Sequence, residues 1–588
     1  MIFGQIKDDA DAWAYYDDEL FKDGWGKMRI YTNSKSKSMD QMLCAGYVDY
    51  YLAHERINHS FYYFKVGNQA EQGWPASWVE WMQKNIDYVQ HMIQTNPEDQ
   101  YWIRMNLIVE QVRGMVQGYN DRRSELGDTI NLLDAWILQS AGDFDDLESI
   151  LPDRTARDPE LTLKCTGLIK MAPNYEDVYF AQDTWSSYTE LEAYLKEYHF
   201  NVPEFKAKHV SLSTRTGHLG SVDDFWATDR GLVILETTMH NFNSTLYTFV
   251  KPQSILTWMR SYYAAWVADS GKEWTTEFIK ENSGTYNNEY IVLDSKKFQR
   301  GVKPTSDLLW MIEQYPTVYH SEDITERFVK QNWWPSVNAP YFQDMFDIAN
   351  YSGQQKKEPW KADFWSYFNQ PRYKLLERDA PKIQNYEQFK SLMRYNDWKH
   401  DSIIQGEPAQ GVLSRYDLRP INGTRFGARN SFGGLDSKTC KLSEVYGNLM
   451  FDAINSPNYE QNPPFNFSDW PSIKVIGLPT VWKFPWISFK SNDFDRCTSA
   501  NDNATKCLEM EFCGYCLISS VCMPGNGKQG PNRGYNCTDG WQFRISEPAY
   551  ARPLVIIVSL IIVVFVSAIY ITAFCSRKES EPKYDTIQ

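Results

Sequence analysis

At 588 residues the chain is too long for one simple compact domain, and its 43% apolar residues supply a substantial core. Aromatics make up 15%, with 22 Trp and 37 Tyr, which excludes a disordered or low-complexity chain. A net charge of −15 speaks against a nucleic-acid surface, because phosphate binding needs clustered Lys and Arg.

The N-terminus, MIFGQIKDDADAW, has no apolar run and so is no signal peptide. Two readings are possible: a tail-anchored chain facing the cytosol, or a natural beginning that lies upstream of this sequence. The second is expected, because cysteines and sequons further along favour a lumenal ectodomain. The first 150 residues read as largely helical. Trp78, Trp81, Met82, Ile86, Val89 and Ile93 recur at helical spacing, and Trp102 to Val116 continues the pattern. His54-Glu-Arg-Ile-Asn-His59 looks superficially like a zincin motif. Its histidines are five apart, whereas a shared helical face needs i, i+4.

After Pro159 the texture changes. Leu163 to Met171 and Asp177 to Gln182 read as two strands, with Ala172-Pro-Asn-Tyr-Glu176 as the turn of a hairpin. Gly231 to Thr238 and Glu289 to Asp294 read as further strands. Ser254 to Ala268 reads as a helix between them. Strands mixed with helices predict an α+β layered domain. From about 400 to 490 turn residues dominate, and no internal repeat is visible.

Six of the ten cysteines follow in one block: Cys497, Cys507, Cys513, Cys516, Cys522 and Cys537. Cys513-Gly-Tyr-Cys516 resembles the centre of a PSI (plexin–semaphorin–integrin) module. A zinc site would need paired C-x2-C spacings, and only one such pair is present. A redox C-x-x-C centre belongs in a βαβ context, which is missing. A disulfide-stapled spacer in an oxidising compartment is the expectation.

Leu554 to Phe574 is a run of 21 residues without a charge, long enough to cross a bilayer as a helix. Arg577 and Lys578 follow it, as expected for a cytosolic tail. Seven Asn-x-Ser/Thr sequons precede it, at Asn58, Asn243, Asn350, Asn422, Asn466, Asn503 and Asn536, and none follows. With the cysteines they predict a lumenal ectodomain. In the tail, Tyr584-Asp-Thr-Ile587 fits the tyrosine-x-x-bulky-hydrophobic pattern that endocytic adaptors bind by strand addition.

No G-x-S-x-G elbow and no Gly-rich phosphate loop is present. Cys165 is the informative residue, although a lone strand cysteine is usually a small buried hydrophobe. It stands in Leu163-Lys-Cys-Thr-Gly-Leu-Ile-Lys-Met171, followed by Phe180-Ala-Gln-Asp-Thr-Trp-Ser-Ser-Tyr188. Gly24-Trp-Gly26, Ala45-Gly-Tyr47, Asp223-Asp-Phe225, Glu236-Thr-Thr238, Asn282-Ser-Gly-Thr-Tyr-Asn-Asn288 and Glu313-Gln314 recur in order around it. Trp334-Pro-Ser-Val-Asn-Ala-Pro-Tyr-Phe342, Pro371-Arg372, Met393-Arg-Tyr-Asn-Asp397, Arg415-Tyr-Asp-Leu418 and Gly433-Gly-Leu-Asp436 complete the series. Over residues 10 to 490 this set resembles the phospholipase B-like (Lamina ancestor-like) family of N-terminal-nucleophile hydrolases.

The resemblance implies a four-layer αββα fold and a precursor cut at Lys164–Cys165, which would leave Cys165 as a new N-terminus. It also implies a signal peptide and a further strand before residue 10. A free α-amino group, with an unperturbed pKa near ~8, would then serve as base for the thiol of its own residue. By family position Asn338 donates to the oxyanion, Arg372 orients a polar group or stabilises charge, and Trp185 and Thr238 line the pocket. One departure stands out: relatives carry Ala-His-Asn-Thr-Trp where this chain has Gln182, which cannot titrate near neutrality. The expected organisation is 1–164, a largely helical fragment released or nicked on maturation; 165–490, the nucleophile-bearing portion; 491–545, the disulfide module; 554–574, the membrane helix; and 575–588, the tail.

Three functions remain open at this level. The first is a hydrolase of acyl ester or amide bonds in lipid-like substrates, in endosomes or lysosomes or at the cell surface. The second is a membrane-tethered pseudoenzyme or receptor, favoured by Gln182. The third is a surface glycoprotein whose cysteine module binds partners. No metal or cofactor is expected, and the expected partners are the substrate, the membrane and an endocytic adaptor.

Overall fold

The computed structural model describes residues 9–151, 164–445 and 448–490, together with 497, 500–501, 503–510, 513–526, 530–531, 537 and 540–543. The chain divides into two units, 1–491 and 492–588. Leu554 to Phe574 and the tail, with Asn536, Tyr584 and Ile587, lie outside the described residues. Among the described residues no helix is long and apolar enough to cross a membrane.

The first unit is mixed α+β. Its strands begin with β1 (Ala12–Glu19) and β2 (Trp25–Thr32), in a stretch whose sequence predicts mostly helix. β3 (Thr166–Met171) and β4 (Val178–Ser187) form the expected antiparallel hairpin. β5 (Ala193–His199), β6 (His209–Arg215), β7 (Phe225–Thr228) and β8 (Leu232–Thr238) follow. Then come β9 (Asn288–Asp294), β10 (Leu309–Tyr315), β11 (Val318–Asp323) and β12 (Trp333–Ser336). β13 (Phe432–Lys441), β14 (Phe451–Ile454), β15 (Phe465–Asn466), β16 (Val481–Trp482) and β17 (Ile487–Phe489) complete it.

These strands build a nine-stranded sheet, β1-β2-β5-β6-β7-β8-β9-β10-β11, and a six-stranded sheet, β12-β3-β4-β13-β14-β17. β8 shows how the large sheet is placed. Leu232 and Ile234 join one core and Val233 and Leu235 the other, the period-two alternation of a strand buried on both faces. On one side lie helices Ser38–Leu52, Ala76–Thr95, Gln100–Arg123 and Thr257–Val267. On the other lies the second sheet, met for instance by Phe180 on Phe225 at 6.2 Å between ring centroids. Helix Tyr386–Met393 then covers that sheet, with Phe389 against Tyr179 at 5.5 Å. The order is helices, sheet, sheet, helices.

The segments before and after residue 164 share one sheet, because β2 pairs in parallel with β5 from Gly26↔Tyr194 to Tyr31↔His199. A cut at 164–165 therefore leaves the N-terminal segment bound by a strand ladder. β13, in the region read as turns, runs through the middle of the six-stranded sheet. Its Gly-rich, polar sequence hides a strand buried on both sides, with a register shift between Gly434 and Asp436.

The second unit contains a four-stranded sheet and three disulfides, Cys497–Cys513, Cys507–Cys522 and Cys516–Cys537. All six thiols are consumed, and Cys513 and Cys516 bond to different partners. That removes both the zinc and the C-x-x-C redox alternatives. Among the described sequons, Asn350, Asn422 and Asn503 are exposed, while Asn58, Asn243 and Asn466 are half-buried. Asn243 already donates its Nδ2 to Ile348 O at 2.8 Å.

One tight helix crossing depends on glycine. Helices Ser38–Leu52 and Gln100–Arg123 approach so closely that a Cβ at Gly114 would fall on the Leu43 carbonyl oxygen, and one at Gly46 on that of Gln111. Gly114→Ala must push the backbones apart, at a cost of about 1–3 kcal/mol or more, the usual range for overpacking. Thermal unfolding checks this. The midpoint should fall for Gly114→Ala and hold for Gly67→Ala, where a Cβ meets open space and φ is not positive.

Candidate active site

The Lys164–Cys165 junction lies at the start of β3, between β12 and β4, and is held from both sides. Cys165 is 2% exposed and has a φ of +79°, a left-handed conformation costing a residue with a Cβ about 1–3 kcal/mol. Thr166, next in the chain, donates its hydroxyl to Val412 O at 2.9 Å. The strained residue is thus the one on the C-terminal side of the expected cut.

Asn338 follows β12 by two residues and also has a positive φ, +65°, which asparagine tolerates. Its Nδ2 donates to the carbonyl oxygen of Lys164 and, at 2.8 Å, to that of Thr238 at the end of β8. Thr238 therefore contributes its main chain, which orients the Asn338 amide. The Asn338 N–H donates to Thr237 Oγ1 at 3.3 Å, and the hydroxyls of Thr237 and Ser336 lie 2.7 Å apart.

Arg372 opens helix Pro371–Asp379, where the proline at N1 suits the missing intrahelical donor. Its Nη1 donates to Cys165 O at 2.6 Å and to Thr166 Oγ1 at 3.0 Å. Its Nη2 donates to Val337 O and Asn338 Oδ1, both at 2.9 Å, and to Gln370 Oε1 at 3.0 Å. The guanidinium stacks on Trp185, 4.2 Å from its ring centroid. Burial pushes the Arg372 pKa down to about 10, so it stays charged at neutrality.

Lys164, Cys165, Asn338, Arg372, Trp185 and Thr238 are thus joined in one place. Gln182 is on β4, fully buried, and accepts a hydrogen bond from Thr184 Oγ1 at 3.2 Å. The carboxylate oxygen at the thiol belongs instead to Glu236, whose Oε1 is 3.9 Å from Cys165 Sγ. Asp224 and Tyr286 join it. All three lie inside motifs of the family series, but separations of 12 and 50 residues gave no sign that they meet. Burial, and then the Glu236 carboxyl, push the Cys165 thiol well above its usual range. Burial likewise raises Glu236, with Asp224 beside it adding to the shift, and lifts Asp224 to about 7.

A cavity of about 280 Å³ opens at this junction, with Lys164, Cys165, Trp185, Tyr63, Arg215 and Tyr286 in its wall. Behind it Lys438 bonds Asp436 Oδ1 at 2.5 Å and Thr184 Oγ1 at 2.6 Å, while Arg215 pairs with Asp436 and lies 3.6 Å from Asp223. Opposite charges balance in this buried cluster.

Arg372→Gln should strip the donors from several buried acceptors at once. At about 1–3 kcal/mol for each buried polar group left unmade, the loss reaches about 3 kcal/mol or more. The expected outcome is a marked fall in the thermal midpoint, larger than that of Arg327→Gln, since Arg327 is exposed and its partner Glu322 only half-buried.

The Phospholipase B family model matches residues 12–489 of this chain. Phospholipase B-like protein B of Dictyostelium discoideum is 33% identical over 495 residues, covering 81% of this chain and 85% of that protein. Phospholipase B-like protein C of the same organism is 32% identical over 510 residues, covering 84% and 89%. Putative phospholipase B-like 2 of Mus musculus is 31% identical over 512 residues, covering 81% and 85%. With matches that span the whole first unit, the chain belongs to the phospholipase B-like family.

Proposed function

We propose that this chain is a thiol hydrolase of the N-terminal-nucleophile type, which cuts its own Lys164–Cys165 bond and then acts through Cys165. One observation carries the reading: the Asn338 carboxamide donates to the carbonyl of the bond to be cut, and the next residue is the thiol. A donor at that oxygen stabilises the negative charge that develops on attack. Arg372 holds both the donor and the following carbonyl. The order helices, sheet, sheet, helices, with the nucleophile at the start of a strand, supports the αββα class.

Cutting frees the α-amino group of Cys165. With an unperturbed pKa near ~8 it serves as base beside the thiol, and Asn338 is left facing the carbonyl of a substrate. Acyl ester or amide bonds of lipid-like molecules are the proposed substrates. The names of the relatives point to phospholipids, and the mechanism serves amides equally. The 554–574 run would tether the enzyme to a lysosomal or endosomal membrane, with the tail read by an endocytic adaptor. Gln182 favours a second reading, a tethered pseudoenzyme, since its carboxamide cannot carry a proton.

The test is the chain itself. Wild-type protein should run as two fragments on a reducing gel, one beginning at Cys165, while Cys165→Ala stays whole. Asn338→Ala should fold but slow both cutting and turnover by about 100- to 1000-fold, the usual loss for one oxyanion donor. Normal maturation of Cys165→Ala would assign the cut to another protease. A cleaved wild-type protein that hydrolyses neither acyl esters nor amides would favour the pseudoenzyme.

A further inference from the structure

Before the cut Cys165 has no free amino group, so the base of the mature enzyme does not yet exist. If the chain cuts itself, another group must accept the thiol proton and later give a proton to the leaving nitrogen. The identity of that group rests on the self-cleavage reading.

Three buried side chains from separate elements form one cluster, and one of them touches the sulfur. Glu236, in β8, places Oε1 3.9 Å from Cys165 Sγ. Tyr286, two residues before β9, donates its hydroxyl to Asp224 Oδ2 at 2.5 Å and lies 3.1 Å from Glu236 Oε1. Asp224 immediately precedes β7 and is held with a φ of +49°. Thr238 Oγ1 reaches Glu236 Oε2 at 3.5 Å. None of the three is more than 5% exposed. Lys164 also acts on Glu236, Asp223 and Lys438 act on Asp224, and Tyr290 faces both carboxyls.

We propose that Glu236 is the general base of chain cleavage, and that Asp224 and Tyr286 position its carboxyl beside the thiol. Two adjacent buried carboxyls do not both ionise readily, so beside Asp224 the Glu236 carboxyl gives up its proton only as the pH rises. The competent form has Glu236 ionised. Its Oε1 takes the thiol proton, and the sulfur forms a bond to the Lys164 carbonyl carbon. The carbonyl electrons move onto oxygen, where Asn338 Nδ2 donates. On collapse the C–N bond breaks, and the proton held by Glu236 passes to the Cys165 nitrogen. The result is a thioester between Lys164 and Cys165 Sγ, with a free α-amino group. Water then hydrolyses the thioester to the Lys164 carboxylate and the thiol. In total one peptide bond and one water give one acid and one amine, with Glu236 returned unchanged.

The full chain, made in a cell-free system and shifted to a series of pH values, tests this on reducing gels. Glu236→Gln should slow cleavage by at least about 100-fold, the lower range for a general base, with an unchanged thermal midpoint. Glu236→Asp keeps a carboxylate and should recover part of the rate. Asp224→Asn removes a negative charge that opposes ionisation of Glu236, so the pH of half-maximal cleavage should move down. A purely structural role for Asp224 would leave that pH in place.

Glu236→Gln cutting at the wild-type rate, or an unshifted profile for Asp224→Asn, overturns the assignment. Should Glu236→Gln fail to fold, the Asp224→Asn profile decides. A wild-type chain that never cuts itself at any pH overturns the self-cleavage reading, and this proposal with it. A wild-type chain that cuts while Glu236→Gln keeps pace overturns only the role of Glu236.

Discussion

The architecture of the site depends on one buried guanidinium. Arg372 donates to the carbonyl of Cys165, the carbonyl of Val337 and the side chain of Asn338. Cys165 stands just before β3 and Val337 and Asn338 just after β12, two neighbouring strands, while the helix bearing Arg372 is distant from Cys165 in sequence. Among the described residues no carboxylate forms an ion pair with it. Main-chain and amide oxygens balance the charge collectively, together with the face of Trp185. A planar fork can reach several fixed acceptors at once, where the point charge of a lysine could not. Removing the fork would leave buried oxygens unmade, so Cys165 and Asn338 are positioned by the same side chain.

A second buried device holds the loop that carries Asn338. Glu313, in β10, accepts from the N–H of Tyr341 at 2.6 Å and that of Phe342 at 3.4 Å. Directly across the ladder in β9 is Glu289. Burial raises both, and the charge of Glu289 adds to the shift at Glu313. Two carboxyl pairs thus serve this region: Glu289 with Glu313 at the loop after β12, and Asp224 with Glu236 beside the Cys165 thiol. Opposite charges elsewhere are matched closely, as in Lys196 with Asp49 at 2.6 Å and Lys438 with Asp436 at 2.5 Å. Such pairs add little net stability against desolvation, but breaking one leaves an uncompensated buried charge. They fix which residues can occupy these positions.

The joint sheet gives the cut its structural meaning. β2 belongs to the segment before residue 164 and β5 to the segment after it, and they share a parallel ladder. Helices of the first segment also contribute much of the core on the outer face of that sheet. A cut at 164–165 would thus change the chemistry of one residue without dismantling the fold.

Legibility in the sequence tracks the range of the interactions. The β3–β4 hairpin, strands β8 and β9 and the helices at 76–95, 100–123 and 257–267 could be read locally, because a period of two or 3.6 in apolar residues reports burial directly. Cysteine crowding foretold disulfides, although not their pairing. Strands β1 and β2 escaped because β1 is a short apolar run that ends in Asp-Asp-Glu and β2 is interrupted by Lys27 and Arg29. β13 escaped because glycine and polar residues fill a strand whose partners, not its own composition, keep it extended. Site residues inside matched motifs, Cys165, Asn338 and Arg372, were named from sequence. Glu236, Asp224 and Tyr286 were not, since nothing in a spacing of 12 or 50 residues gathers three side chains into one cluster beside the thiol. By itself the sequence determined local periodicity, the cysteine framework, the apolar run at 554–574 and the family series. Only the tertiary structure decided which carboxylates surround the thiol, because that choice is made by the stacking of two sheets, a contact between residues far apart in the chain.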